Sequence, residues 1–310
     1  MTGSHSEDLR PLTKYTQSLG KKEDQANWEK VVLGTSGWSY KEWEKVFYPD
    51  SKTPKLSYYS GVFSTAEIDS TFYAYPNKGL AFGWARNTPD DFQFSAKIPK
   101  LITHDKKLDL AEGVEVDLGK FLEILTPLKD AKKLGPLLIQ LPPSFARKDI
   151  GLLENFLEIL PDDYMFSAEF RNPSWLENTE SLHSLLRKYN VANTIVDEPL
   201  LPVDLTVTAN FAFIRWHGKG KRVWYNYEYS EEELDSWVDR VAKVSEKVKK
   251  VYGYFNNHFH GSAVLNSLEM LMKLDISNAK QEEILAEMQR KKSSEQTDGK
   301  LSDESQMRLS

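Results

Sequence analysis

The chain of 310 residues contains no cysteine. That absence excludes a disulfide frame, a thiolate nucleophile, a zinc–thiolate site and a cysteine-ligated iron–sulfur cluster. Long apolar runs are missing too. No N-terminal stretch resembles a signal peptide, and no segment approaches the roughly 18 apolar residues of a membrane span. A cytoplasmic location without a membrane partner is the resulting expectation. No Gly-x-Gly-x-x-Gly fingerprint follows the first strand and no Gly-Lys-Ser/Thr phosphate loop is present, which weighs against open-sheet nucleotide-binding folds. Positive charge is not in excess: 40 Lys and Arg against 46 Asp and Glu leave a formal net charge of -6. Bulk electrostatic binding of nucleic acid is thereby disfavoured, although a local basic patch is not. His-Glu-x-x-His and comparable ligand spacings are lacking as well, so no metal and no cofactor is expected.

What is present is a set of alternating segments whose polar residues fall on one parity. Hydrophobic residues make up 40% of the chain and charged residues 28%, enough apolar material for an ordinary globular core. In 165–171, Ser167, Glu169 and Arg171 share a face, and Phe166, Ala168 and Phe170 share the other. In 65–69 the carboxylates of Glu67 and Asp69 point together, opposite Ala66 and Ile68. The segment 92–97 ends in Lys97, and 211–217 places Arg215 and His217 on one side. Successive strand residues point to opposite faces, so each segment has an apolar face and a face ending in charge. Ionised groups are costly to bury unless paired, and their gathering at the ends of several strands points to a pocket.

The strand pattern covers 31–35, 65–69, 92–97, 137–140, 165–170, 192–196, 211–215 and 251–255. Helical spacing covers 54–62, 78–87, 117–132, 149–160, 174–189, 231–247, 261–272 and 278–290. Asn77 and Asp149 stand at helix starts, and Ser230 with Glu233 forms a capping box. Alternation of this kind implies a parallel sheet with right-handed crossovers. Eight strands favour closure into one (βα)8 barrel, an α/β single domain of about 250 residues. The expected organisation is a polar extension over 1–30, a barrel over 31–290 and a solvated, disordered tail over 291–310.

Several motifs in one order carry a resemblance. They are Gly34-Thr35-Ser36-Gly37-Trp38-Ser39-Tyr40, Phe47-Tyr48-Pro49, Glu67-Ile68-Asp69-Ser70-Thr71-Phe72-Tyr73 and Lys97-Ile98-Pro99-Lys100-Leu101-Ile102-Thr103-His104. Further along stand Gln140-Leu141-Pro142-Pro143-Ser144-Phe145, Glu169-Phe170-Arg171-Asn172-Pro173-Ser174-Trp175, Arg215-Trp216-His217-Gly218 and Tyr254-Phe255-Asn256-Asn257. On these residues the chain resembles the DUF72 family, also called YecE-like, over about 32–270. The resemblance implies a TIM barrel and names no activity. Asp69, Asn172 and His258 stand where family members typically have Asn, His and Asp.

In such a barrel, catalytic groups come from the C-terminal strand ends and the loops after them. Glu67 and Glu169 are the expected acid–base pair, one shielded and protonated, the other ionised beside a cation. Lys97, Arg171 and Arg215, with His104, suit a clamp for an anionic group, since guanidinium forks match carboxylate and phosphate. His217 is the expected proton shuttle. Asp69, Gln140, Asn256 and Asn257 would bind hydroxyl groups, and Trp38 and Tyr73 would stack on a substrate ring. The competing reading is an internal salt-bridge network that fills the mouth. Two loops, 98–116 with Lys100, Lys106 and Lys107, and 218–229 with Lys219, Lys221 and Arg222, are candidate lids. The functional expectation is a metal-independent hydrolase or isomerase for a small polar or anionic substrate such as a sugar or sugar phosphate. The alternatives are a nucleic-acid-processing protein using the aromatic basic loop, and a barrel that only binds a metabolite.

Overall fold

The eight expected strands all form, and they roll into one parallel barrel. A computed structural model describes residues 28–307, with side chains through residue 294. The strands are β1 (Val31–Thr35), β2 (Thr65–Ile68), β3 (Gln93–Lys97), β4 (Leu134–Gln140), β5 (Phe166–Glu169), β6 (Ala192–Asp197), β7 (Phe211–Trp216) and β8 (Lys250–Phe255). From β2 to β8 each strand pairs in parallel with the next, and β1 pairs with β8. The seam between β1 and β2 closes at the top, where Ser36 bridges Glu67 and Gly37 N donates to Glu67 O at 2.8 Å.

Lower in that seam a side chain replaces the ladder. The Tyr59 hydroxyl accepts from Thr35 N at 2.9 Å and donates to Thr65 O at 3.1 Å. Gly34 makes the approach possible, because a Cβ there would stand 2.2 Å from Thr65 O. A glycine where two backbones meet has a steric cause.

The helices are α1 (Lys55–Ser60), α2 (Lys78–Arg86), α3 (Val114–Asp130), α4 (Ile150–Glu158), α5 (Thr179–Lys188), α6 (Glu231–Ser245), α7 (Ser262–Lys273) and α8 (Ala279–Met307). Asn77 caps α2 by accepting from Leu80 N at 2.8 Å, and the Ser230–Glu233 box opens α6. Asp149 stands at the start of α4 as expected, with its carboxylate turned back to accept from Ala146 N at 2.9 Å. No helix joins β6 to β7. The last helix runs past residue 290 to Met307. Residues 1–27 of the expected polar extension and 308–310 of the expected tail lie outside the described residues; Trp28–Lys30 forms a single 3-10 turn. Among the described residues no helix is long and apolar enough to cross a membrane.

Parity sorts the barrel as the sequence implied. Ala66, Ile68, Ala168, Ile214 and Trp216 face the helices and join the main core. Leu138, Ala192, Phe211, Phe213, Tyr252 and Tyr254 fill the lumen as a separate cluster. Above it lies a hydroxyl layer, with Tyr254 OH 2.7 Å from both Thr65 Oγ1 and Ser95 Oγ, and Ser167 Oγ 2.5 Å from Thr194 Oγ1. The lumen thus becomes polar only toward the C-terminal ends of the strands.

Candidate functional site

Above the hydroxyl layer the inward residues are charged, and Arg215 is their centre. Its Nε donates to Glu67 Oε2 at 2.9 Å, Nη2 to Glu67 Oε1 at 2.7 Å, and Nη1 to Glu169 Oε2 at 2.7 Å. Ser36 Oγ adds a fourth contact, donating to Glu67 Oε1 at 2.9 Å. Glu67, Glu169 and Arg215 are essentially sealed from solvent. A buried pair needs this density of hydrogen bonds to offset desolvation.

The two glutamates respond oppositely. Burial pushes Glu67 up, against the pull of Arg215, with Asp69 adding repulsion. Burial also acts on Glu169, but Arg171 and Arg215 outweigh it and hold the carboxyl well below the usual range. Arg171 Nε donates to Glu169 Oε1 at 2.7 Å. Both glutamates are therefore engaged by guanidinium groups. Glu67 and Glu169 thus share one salt-bridge network, and neither carboxylate has an oxygen free of a guanidinium contact.

His217 joins the same network. Arg171 Nη2 lies 3.0 Å and Arg215 Nη1 3.4 Å from its Nε2. Guanidiniums only donate, so Nε2 accepts and the ring proton resides on Nδ1. Asn256 Nδ2 stands 2.9 Å from Nδ1, and a flip of the amide, exchanging its nitrogen and oxygen, gives that proton its acceptor. Burial first, and Arg171 second, push His217 down to about 3. A ring held neutral accepts from Arg171 and helps to position it.

Around this centre stand side chains with unfilled hydrogen-bonding capacity. Lys97 Nζ reaches Asp69 Oδ1 at 3.4 Å and sits 3.9 Å from the centre of the Phe72 ring. Gln140, on the luminal face of β4 and 8% exposed, makes no side-chain hydrogen bond among the described residues. The residue missed by the sequence reading is Glu198. Its Oε2 is buried without a hydrogen-bond partner, 4.0 Å from Arg171 Nη1. Burial, opposed by Arg171 and reinforced by Glu169, pushes it up to about 7. The signal was there in parity: Glu198 continues the luminal register of Ala192, Thr194 and Val196, but the strand was ended at 196. With Glu198, four carboxylates face three permanent cations, so the cup is mixed rather than basic.

Other expected residues fall elsewhere. Asn257 follows β8 on the outward parity; its amide donates to Tyr227 O and Asn266 Oδ1, both at 2.9 Å, and braces the 218–229 loop. Trp38 leaves the cup because the chain turns at Gly37 (φ 81°), and its ring packs on Trp84 and Phe94. Tyr73 is 75% exposed and touches the Phe72 ring edge-on. His104 packs edge-on to Phe72, and burial followed by Lys97 pushes it down to about 4, so it brings no charge to an anion clamp. Trp175 and Trp216 are buried outside the cup, packed on Phe145 and on Trp237 of α6.

Both expected lids are braced. In 98–116, Lys100 pairs with Asp105 at 2.8 Å and Lys106 with Asp117 at 2.7 Å. In 218–229, Lys219 lies 3.3 Å from both Asp197 and Glu233, while Tyr225 leans over the rings of His217 and His258. Gly218 (φ 85°) lets the loop fold back, since a Cβ there would stand 2.5 Å from Trp224 O. Among the described residues no group of three acidic or histidine side chains is placed to hold a metal ion. A cleft of about 720 Å³ opens at the opposite, N-terminal end of the barrel, between Trp28, Phe63, Asp91 and Gln281. It is remote in the fold from the charged cup, and conserved barrel chemistry belongs to the C-terminal face. The cup is the better site on chemical grounds.

Comparison with known proteins agrees with the fold. The family model described as "Protein of unknown function DUF72" matches residues 32–292. The UPF0759 protein YunF of Bacillus subtilis is 28% identical over 270 residues, covering 79% of this chain and 95% of YunF. The UPF0759 protein YecE of Escherichia coli K12 is 25% identical over 236 residues, covering 69% and 81%. A solved DUF72 family protein from Thermotoga maritima superposes with a TM-score of 0.71 at 34% identity, covering 79% of this chain and 99% of that one. A second, from Enterococcus faecalis, gives a TM-score of 0.71 at 24% identity, covering 80% and 96%, and bears on the fold alone. With barrel, motifs and family match in agreement, the chain belongs to the DUF72 family.

Proposed function

We propose that the protein is an enzyme that uses general acid–base chemistry on a small polar substrate carrying an anionic or enolate-like oxygen, such as a sugar or sugar phosphate. The observation that carries this reading is the Glu198 carboxylate, buried, unpartnered at Oε2 and 4.0 Å from Arg171. A carboxyl group pushed up to about 7 exchanges its proton near neutral pH, which is what a general acid or base must do. Arg171 orients the substrate oxygen and stabilises developing charge there. Gln140 supplies an unengaged amide for a hydroxyl group. The Glu67–Arg215–Glu169 network holds Arg171 in place from below and does no proton transfer itself.

The test is a metabolite extract incubated with wild type and with Glu198→Gln, read by mass spectrometry. Wild type converts a compound, and Glu198→Gln lowers its turnover by about 100-fold or more, within the usual range for a lost acid–base group. Unchanged turnover in Glu198→Gln removes Glu198 from the mechanism. A metabolite retained by both proteins without product would favour a binding barrel instead.

A further inference from the structure

Two lysines in this barrel are nearly sealed from solvent, and they are treated differently. Lys133, 4% exposed, donates to Ala85 O and Thr88 O at 2.7 Å and to Thr88 Oγ1 at 3.3 Å. Three acceptors for three N–H bonds make it a satisfied structural ammonium. Lys97, 7% exposed, has one hydrogen bond, to Asp69 Oδ1 at 3.4 Å. It rises from the last residue of β3 into the cup, against the Phe72 ring and within the field of Arg215. Desolvation beside another cation is the arrangement that activates a lysine as a nucleophile.

We propose that Lys97 is a covalent catalytic residue, forming a Schiff base with a small aldehyde or ketone that carries a neighbouring hydroxyl or anionic group. This deepens the acid–base reading of the same cup and rests on it. The neutral amine adds to the carbonyl carbon, the carbonyl electron pair moves to oxygen, and one proton passes from nitrogen to that oxygen, giving a carbinolamine. The nitrogen lone pair then expels the hydroxyl, which takes a proton and leaves as water, and a protonated imine remains. Asp69, against Lys97 and 28% exposed at its side chain, takes the ammonium proton that frees the amine. Burial, with Arg215 adding to it, shifts Lys97 downward against the opposing pull of Asp69. The Phe72 face opposes the step by favouring the ammonium, so the amine is released when a substrate displaces that contact.

Sodium borohydride reduction in the presence of glycolaldehyde, glyoxylate or pyruvate tests the step on the wild-type protein. Hydride adds to the imine carbon and leaves a secondary amine heavier than lysine by the probe less one oxygen. Peptide mapping should place that adduct on Lys97 at about tenfold or more the level on the exposed Lys78 and Lys100, as expected for an activated amine. Lys97→Arg keeps the charge and should show no adduct at that position, with an unchanged circular dichroism spectrum. Modification of Lys97 at or below the level of the surface lysines with all three probes overturns the proposal. That result would leave the acid–base reading to the Glu198→Gln turnover measurement, which does not depend on trapping.

Discussion

Arg215 meets Glu67 through two parallel contacts, Nε to Oε2 at 2.9 Å and Nη2 to Oε1 at 2.7 Å, sealed beneath the barrel mouth. The same guanidinium holds Glu169 through Nη1, so one side chain from β7 ties β2 to β5 across the lumen. Removing it strands the buried Glu67 carboxylate and leaves Glu169 to Arg171 alone. Arg215→Ala is expected to cost about 3–5 kcal/mol, the range for breaking a buried pair from one side. Arg215→Lys should recover little of this, because an ammonium cannot reproduce the fork. Urea unfolding midpoints of the three proteins check it; an Arg215→Ala protein as stable as wild type would contradict the network.

Glu198 sets a pH dependence. Its folded value is raised to about 7, above the usual range of a free glutamate. Between those two values the native state binds the extra proton. Its contribution is therefore complete below the unfolded value and lost as pH rises through about 7. Over pH 5 to 8 wild type should lose up to about 3 kcal/mol relative to Glu198→Gln. Denaturant midpoints of both proteins measured across that window give the difference. Parallel curves would show that Glu198 is ionised throughout.

His217 is expected not to titrate between pH 5 and 8, because burial and Arg171 push it down to about 3. Its ring signals in a heteronuclear NMR titration should stay fixed, with the nitrogen shifts of an Nδ1–H tautomer. A midpoint near the ordinary histidine value would return it to the role of proton shuttle.

Tyr59→Phe tests the barrel seam. The missing hydroxyl leaves Thr35 N and Thr65 O without their bonds at 2.9 and 3.1 Å. Unsatisfied buried backbone groups cost about 1–3 kcal/mol each. Faster amide exchange at Thr35 should accompany the lower stability, with β4–β5 protection little changed. Uniform exchange across the barrel would show that the seam is held by other contacts.

The number and order of the strands were legible because alternation survives in a single sequence. Parity alone separates Ala66 and Ile68 from Glu67, and Phe166 and Ala168 from Glu169. Asn257, expected to bind a hydroxyl group, instead follows Phe255 on the outward parity and braces a loop. Trp38 escaped this rule because Gly37 turns the chain out of the strand register. Glu198 escapes for a related reason: it follows β6, which ends at Asp197, and keeps the luminal parity just past the strand.

The sequence by itself determined which residues look into the barrel, since side-chain direction in a strand depends only on local backbone geometry. Only the tertiary structure decided their chemistry. Whether a carboxylate is an acid, a salt-bridge partner or an unengaged group depends on what stands within a few ångströms from other strands. Arg215 of β7 chose Glu67 and Glu169 from β2 and β5, and so left Glu198 and Lys97 as the incompletely bonded groups. Coulombic and hydrogen-bond energies fall off over such distances. No spacing along the chain encodes them.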